Sequence, residues 1–106
     1  MEAPTNIPAA GFYYHYKHDS LGEFNNYAYE VIGLGRNTEE KTYTVLYRPV
    51  YENSWMKPAA YQSRPYEMFL ENVDKDDQKV PRFSLITDPD LVLRLEKVRS
   101  SLYPND

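Results

Sequence analysis

The sequence predicts a mainly β fold, either a small five-stranded SH3-like barrel or a curved antiparallel sheet, with a C-terminal α-helix. Three observations lead to this prediction. Short runs rich in tyrosine and β-branched residues recur between residues 12 and 86, turn-forming residues separate them, and a segment with helical spacing follows. The 106 residues fit one domain. We divide it into a flexible lead-in at 1–10, a β domain at 11–87 and a helix at 88–103.

The first three predicted strands are dense in aromatic side chains. They cover residues 12–18, 27–34 and 41–51. A turn-rich loop at 19–26 and a hairpin connection at 35–40 separate them. We expect these three strands to form the centre of the sheet.

Side chains alternate along a strand, and this alternation assigns residues to faces. His15 and Lys17 share one face of the first strand, and Tyr47 and Tyr51 share one face of the third. Pro49 cannot donate to a ladder, so it marks an edge, a bulge or the end of the third strand.

The second half of the chain is less regular. Residues 52–63 predict an irregular segment, and an arginine-proline pair predicts a short helical turn at 64–69. Two further strands are predicted at 70–73 and 80–86, with a charged hairpin loop at 74–79 between them.

The C-terminal helix has a clear start signal. Asp88 suits the N-cap and Pro89 suits the first helical position. The helix ends before Pro104 and carries an apolar stripe. The stripe consists of Leu91, Leu95, Val98 and Leu102. We predict that it packs on the β domain; a homodimer formed through the helix is the alternative.

Composition bounds the function. The net charge is −4, so the whole chain lacks the basic surplus typical of double-stranded DNA binding, although a local basic patch remains open. There is no cysteine, and the two histidines fall on opposite faces of a strand, so we predict no metal and no cofactor. The sequence shows neither an apolar run of about 20 residues nor a signal peptide, which predicts a cytoplasmic protein without membrane contact.

His15 is the one candidate for catalysis. Acting as a general base beside arginine or lysine, it would make the chain a small hydrolase-like enzyme. That hypothesis needs a carboxylate near His15, and Glu30 and Glu67 are the candidates. A structural histidine within an aromatic strand is the simpler interpretation.

Tyrosines and proline-flanked arginines indicate a binding site. Most of the eleven tyrosines are expected to build the core, with their hydroxyls hydrogen-bonded. A neighbouring proline stiffens the backbone at Arg48, Arg64 and Arg82, although ion pairs are an equal alternative role for these arginines. We predict a non-enzymatic binding module for an anionic or aromatic ligand, such as a nucleotide, a short RNA or a peptide. The predicted ligand-binding residues are His15, Lys17, Tyr47, Arg48, Tyr51, Trp55, Arg64 and Arg82.

An ordered set of short motifs resembles one known family. The motifs are Gly11-x-Tyr13-x-His15-x-Lys17, Arg64-Pro65-x-x-Met68-Phe69 and Pro81-Arg82-Phe83. Together they resemble the bacterial domain-of-unknown-function family 1653, from about residue 11 to residue 86. The resemblance implies a compact, mainly β domain similar to SH3-like barrels and no particular activity. The chain departs from the family at His18, where glycine is common, in a longer loop at 19–26, and in its C-terminal helix.

Overall fold

The structure, a computed structural model, describes residue 4 and residues 6–52 and 61–104. Its main sheet is antiparallel, has five strands and is strongly curled, which confirms the prediction of a mainly β fold with a curved sheet and a C-terminal helix. The strands are β1 (Gly11–His15), β2 (Ala28–Asn37), β3 (Thr42–Pro49), β4 (Gln62–Pro65), β5 (Asn72–Lys75), β6 (Gln78–Pro81) and β7 (Phe83–Leu85). The helices are α1 (Tyr66–Phe69) and α2 (Pro89–Leu102). The order in the main sheet is β4-β3-β2-β1-β7, and β5 and β6 form a separate hairpin.

The centre of the main sheet consists of β1, β2 and β3, as the aromatic-rich runs predict. β2 pairs with β3 with Val31 opposite Tyr47, and the register shifts between Val31 and Gly33. Ile32 therefore forms a bulge, which increases the local twist of the strand. Pro49 is the last residue of β3, so its missing N–H falls at the exit of the strand.

One strand of the main sheet was not predicted. Gln62–Pro65 forms β4 and pairs with β3, where the sequence predicts the end of an irregular segment at 52–63 and a turn. The predicted helical turn follows directly, as α1. β4 has no β-branched or aromatic residue, so its partner strand decides its conformation.

The charged segment at 74–79, predicted as a hairpin loop, belongs to a hairpin whose two strands extend into it and leave a two-residue turn. Its strands, β5 and β6, are joined by Asp76 and Asp77, whose φ angles are 51° and 63°. Two successive positive φ angles are the geometry of a tight hairpin turn, which aspartate tolerates. The predicted strand at 80–86 is interrupted at Arg82, so β6 lies in the hairpin and β7 in the main sheet.

The two faces of the main sheet carry separate cores. We call them the aromatic face and the helix face. The aromatic face buries Tyr13, Tyr29, Val31, Val45, Tyr47, Phe69 and Phe83. The helix face buries Phe12, Ala28, Val50 and Ile86 against Leu95 of α2. Neighbouring residues of one strand thus contribute to different environments, as alternation requires.

The C-terminal helix packs on the helix face of its own chain. The Asp88 side chain accepts a hydrogen bond from the Asp90 amide at 2.9 Å, which caps the helix. Leu95 is fully buried, and the Tyr103 hydroxyl donates to the Pro49 carbonyl at 2.5 Å. Among the helices of the described residues, none has the length and apolar character needed to cross a membrane.

Candidate functional site

Four partly exposed rings form a chain of neighbouring contacts that begins at the end of β1 and reaches the aromatic face at Tyr51. The ring centroids of Tyr16 and His15 are 4.5 Å apart, those of His15 and Tyr27 are 5.8 Å apart, and those of Tyr27 and Tyr51 are 5.9 Å apart. Tyr27 is the most exposed of the four, at 39%. We call Tyr16, His15, Tyr27 and Tyr51 the ring row. Such rings offer flat apolar surfaces to a planar ligand.

Tyr27 adopts a disfavoured backbone conformation. Its φ angle is 55°, in the left-handed region, which disfavours residues with a Cβ by about 1–2 kcal/mol. The His15 amide donates to the Tyr27 carbonyl at 2.9 Å, and this bond helps to hold the conformation. Strained residues of this kind concentrate at binding and catalytic sites. The conformation places the Tyr27 ring between His15 and Tyr51.

A hydroxyl pair supports the ring row from inside the core. The hydroxyls of Tyr29 and Tyr51 lie 2.7 Å apart, and the Tyr29 ring meets those of Tyr47 and Phe83 edge to face. Burial, followed by the hydrogen bond to Tyr51, raises the pKa of Tyr29, and burial raises the pKa of Tyr51. Both hydroxyls therefore stay protonated at neutral pH.

Arg64 brings a cation to the aromatic face. Its Nε donates to the Tyr47 hydroxyl at 3.3 Å, and its guanidinium lies 5.9 Å from the centroid of Phe83. The side chain is partly buried, and it has no carboxylate partner within the described residues. Charged groups that are withdrawn from water are usually paired with an opposite charge, and the partly buried Arg64 lacks such a partner among the described residues.

Two further cations lie near the ring row. Arg82 pairs with Glu71 at 3.0 Å and donates to the Met68 carbonyl at 3.2 Å. Lys17 is exposed, and its backbone amide donates to Nδ1 of His15 at 3.2 Å. The bond from Lys17 fixes the orientation of the imidazole and identifies Nδ1 as the acceptor.

His15 senses the field of these cations. Burial, followed by the charges of Lys17, Arg64 and Arg82, lowers the pKa of His15 to about 4. The imidazole is therefore neutral at pH 7, and the potential around it is positive. Glu30, one of the carboxylates that the hydrolase hypothesis needs, lies on the helix face, and no described carboxylate hydrogen-bonds to His15.

The helix face holds a different arginine cluster. Oε1 of Glu30 accepts from Nε and Nη2 of Arg48 at 3.2 and 3.1 Å, and Oε2 accepts from Arg99 at 2.6 Å. The Arg48 guanidinium lies 4.0 Å from the Tyr103 centroid and 5.1 Å from that of Tyr61. Arg99 and Tyr103 come from α2 and its end, so this cluster fixes the helix to the sheet.

The predicted binding residues are thus divided between the two faces. The aromatic face brings together His15, Tyr47, Tyr51 and Arg64, and Lys17 and Arg82 are close enough to act on His15 electrostatically. Arg48 lies on the helix face, and Trp55 lies outside the described residues. The ion-pair role weighed for the arginines holds for Arg48 and Arg82.

Sequence reasoning missed Tyr27 and Tyr29. Neither is among the predicted ligand-binding residues, yet Tyr29 bonds to Tyr51 from within the core and Tyr27 is the most exposed ring of the row. Tyr27 and Tyr29 are two residues apart and therefore share one face of a predicted strand. That pattern was the signal in the sequence that could have grouped them with His15. The positive φ of Tyr27 had no counterpart in the sequence, because tyrosine does not favour that conformation.

The second histidine has a local structural role. The His18 ring stacks on Tyr14 at 3.6 Å, and its Nδ1 lies 2.7 Å from the Asn26 carbonyl. The Asn26 side chain in turn accepts from the Asp19 amide at 2.8 Å, which closes the loop at 19–26. In the described part of the chain, no group of three or more histidine, aspartate or glutamate residues is arranged to hold a metal ion.

Comparison with known proteins agrees with the motifs in the sequence. The model of a family described as a protein of unknown function, DUF1653, matches residues 11–85. The chain is similar to the crystal structure of a DUF1653 protein from Bordetella bronchiseptica, with 26% identity and a TM-score of 0.58 over 76% of this chain and 92% of that chain. None of the curated proteins compared with the chain matches it. α2 lies beyond the matched residues. Because the family match spans most of its length, the chain belongs to the DUF1653 family.

Proposed function

We propose that the aromatic face is a non-enzymatic binding site for a small ligand that joins an anionic group to an aromatic ring, such as a nucleotide. The observation that carries this proposal is Arg64. It is a partly buried guanidinium beside Tyr47 and Phe83 of the aromatic face, and it has no carboxylate partner within the described residues.

The local charge supports an anionic ligand. The chain as a whole carries a net charge of −4, yet Lys17, Arg64 and Arg82 all act on His15. A guanidinium offers two parallel N–H groups to a phosphate or a carboxylate, and such charge-assisted pairs are stronger than neutral hydrogen bonds. An anion beside Arg64 would supply the counter-charge that the described residues lack.

The tyrosines support an aromatic group on the same ligand. The Tyr27 ring is 39% exposed, and it is stacked against the His15 ring with 28° between their planes, which holds it in place. The hydroxyls of Tyr29 and Tyr51 are neutral at pH 7, as tyrosine hydroxyls ordinarily are, and so do not repel an anion. A planar ring on the ligand would stack on this surface while its anionic group reaches Arg64.

The properties of His15 favour binding over the alternative hydrolase-like activity. A general base works best when its pKa lies near the operating pH, and the pKa of His15 is lowered to about 4. Its Nδ1 also accepts the amide of Lys17. The cytoplasm, which the sequence predicts as the location, supplies nucleotides in abundance.

Isothermal titration calorimetry against a matched panel tests this proposal. AMP and UMP join a ring to a phosphate, adenosine offers the ring alone, and inorganic phosphate offers the anion alone. We expect the two monophosphates to bind at least about tenfold more tightly than either half, since a hydrogen bond to a charged group contributes about 1.5–3 kcal/mol.

Two arginine variants locate the binding on the molecule. Arg64→Gln should weaken monophosphate binding about tenfold. Arg94→Gln is the matched control, because Arg94 is exposed on α2 with its guanidinium over Phe24. Equal affinity for all four panel compounds, or the same loss of affinity in both variants, would rule the site out.

A further inference from the structure

We propose that the aromatic face takes single-stranded nucleic acid, with successive bases stacked on the ring row. This inference rests on the proposed function and names the class of ligand. The natural ligand is then a strand of several nucleotides rather than a free mononucleotide.

The length of the ring row supports a ligand with more than one base. The rings of Tyr16, His15, Tyr27 and Tyr51 follow one another at 4.5, 5.8 and 5.9 Å. The base of a mononucleotide covers one such ring and leaves the others unused. Proteins that bind single strands without sequence preference commonly stack successive bases on successive aromatic side chains.

The site continues past the Tyr16 end of the row. A cleft of about 220 Å³ adjoins His15 and Tyr16, and Tyr14, His18, Pro81 and Ser84 also line it. Lys75 also lines it, and Nζ of Lys75 donates to the Tyr16 carbonyl at 2.7 Å. A strand that leaves the ring row would therefore meet another cation and a further recess.

The cations are distributed rather than gathered at one point. Arg64 lies beside Tyr47 and Phe83 on the aromatic face, whereas Lys17 and Lys75 lie beside His15 and Tyr16. Single-stranded nucleic acid carries one negative charge and one flat base in every nucleotide, so a strand can offer both kinds of group to several rings and cations at once. A peptide has no such regular repeat of charge and ring, so the observations favour the nucleic acid.

Fluorescence anisotropy with labelled oligouridylates of one to eight nucleotides tests the inference, alongside DNA strands of the same lengths. We expect affinity to rise with each nucleotide up to about four and then to level off, as for other small single-strand sites. We also expect log K to fall with log salt with a slope of about −0.7 for each phosphate contacted, and so about −1.4 to −2 for two or three contacts. RNA and DNA should behave alike if stacking and charge dominate.

Matched variants connect the binding to the ring row. Tyr27→Asn should weaken tetranucleotide binding about tenfold, because a stacked base contributes about 1–3 kcal/mol and asparagine tolerates the positive φ of this position. Tyr27→Phe keeps the ring and should bind within about twofold of the wild type. Tyr61→Asn is the control, since Tyr61 is an exposed tyrosine beside Arg48 of the helix face and should leave binding unchanged.

Lysine variants test the charges. Lys17→Ala should reduce the salt slope by about 0.7, the contribution of one phosphate contact. Lys97→Ala removes an exposed lysine of α2 and should leave the slope as it is.

The outcomes separate this inference from the proposed function. Mononucleotides that bind through Arg64, with no gain in affinity from longer strands, would overturn the inference and leave the proposed function standing. If neither mononucleotides nor longer strands bind, the inference and the proposed function are both overturned. Binding of an acidic, tyrosine-containing peptide, with no binding of any oligonucleotide, would assign the site to a protein partner and also overturn the inference.

Discussion

The helix face and the aromatic face both place an arginine against aromatic rings, but among the described residues only the arginine of the helix face is paired with a buried carboxylate. Arg48 lies against Tyr103 and is paired with Glu30, which is 8% exposed. Arg64 lies near Phe83 and donates to the Tyr47 hydroxyl. One cluster is neutralised from within the chain, and the other leaves a positive field that acts on His15.

A structural arginine and a candidate binding arginine can therefore be distinguished by the partner of the guanidinium. Arg48 and Arg64 each precede a proline, so the local sequence does not show which of them has a structural role. What separates them is the residue that the folded chain places opposite each guanidinium. The helix face should therefore control stability, and the aromatic face should control binding.

Removal of the Glu30 charge should have the largest effect on stability. Glu30→Gln leaves Arg48 and Arg99 without their shared carboxylate, and breaking a buried ion pair destabilises by about 3–5 kcal/mol. Urea denaturation measures the loss. Glu71→Gln is the control: its pair with Arg82 is exposed on the glutamate side, so it should lose less than about 1 kcal/mol. Similar losses in the two variants would contradict the structural role of the helix-face cluster.

Truncation of the helix core should come next. Leu95→Ala removes a fully buried side chain and should lower the free energy of unfolding by about 3 kcal/mol. Leu93→Ala is the control. Leu93 is 58% exposed, so its truncation should change the free energy of unfolding by less than about 0.5 kcal/mol. Equal effects, or a concentration dependence of the loss, would indicate that α2 packs on a second copy rather than on its own sheet.

Acid should weaken the aromatic face through His15. The pKa of His15 is lowered to about 4 in the folded state, against an ordinary value of 6.5, so between these pH values the unfolded chain binds the extra proton. Stability should therefore rise with pH from about 4 to 6.5 and be complete above 6.5. We expect the contribution to be about 2 kcal/mol after allowance for solvent screening of a partly exposed ring.

A pair of variants isolates this contribution, because the chain has two histidines. His15→Gln should flatten the stability profile between pH 4 and 6.5, and His18→Gln should retain the slope. A slope that persists in His15→Gln would assign the acid sensitivity to other groups.

The smallest expected effect concerns the tyrosine pair beneath the ring row. Tyr51→Phe removes the hydroxyl 2.7 Å from that of Tyr29 and should lower stability by about 1 kcal/mol, the net contribution of one hydrogen bond. Tyr61→Phe, at an exposed ring, should have no measurable effect on thermal unfolding. Unchanged stability of Tyr51→Phe would show that solvent replaces the lost hydrogen-bond partner of Tyr29.

Much of the fold followed from local signals. The Asp88 cap with Pro89 and the helical spacing of its leucines placed α2, and aromatic alternation placed β1 to β3. β4 was missed because its conformation comes from pairing with β3. The hairpin at 74–79 is predictable from its charges, but its two-residue turn is not, because the run of charges does not reveal the positive φ angles of Asp76 and Asp77.

The candidate site was predictable only in part. Alternation along the third strand groups Tyr47 with Tyr51 on one face. The same alternation places Arg48 on the opposite face, as the structure shows. The contrast between Arg48 and Arg64 depends on contacts between residues far apart in the sequence. Such contacts exist only in the folded chain.

NMR of the arginine side chains tests the central contrast most directly. The Nε–Hε resonances of Arg64 and Arg48 report on the two faces in one spectrum, and a four-nucleotide oligouridylate serves as the probe. We expect titration to shift the Arg64 resonance together with the amides of His15, Tyr27 and Tyr51, while the Arg48 resonance stays in place. A shift of Arg48 with an unchanged Arg64 would contradict the assignment of binding to the aromatic face.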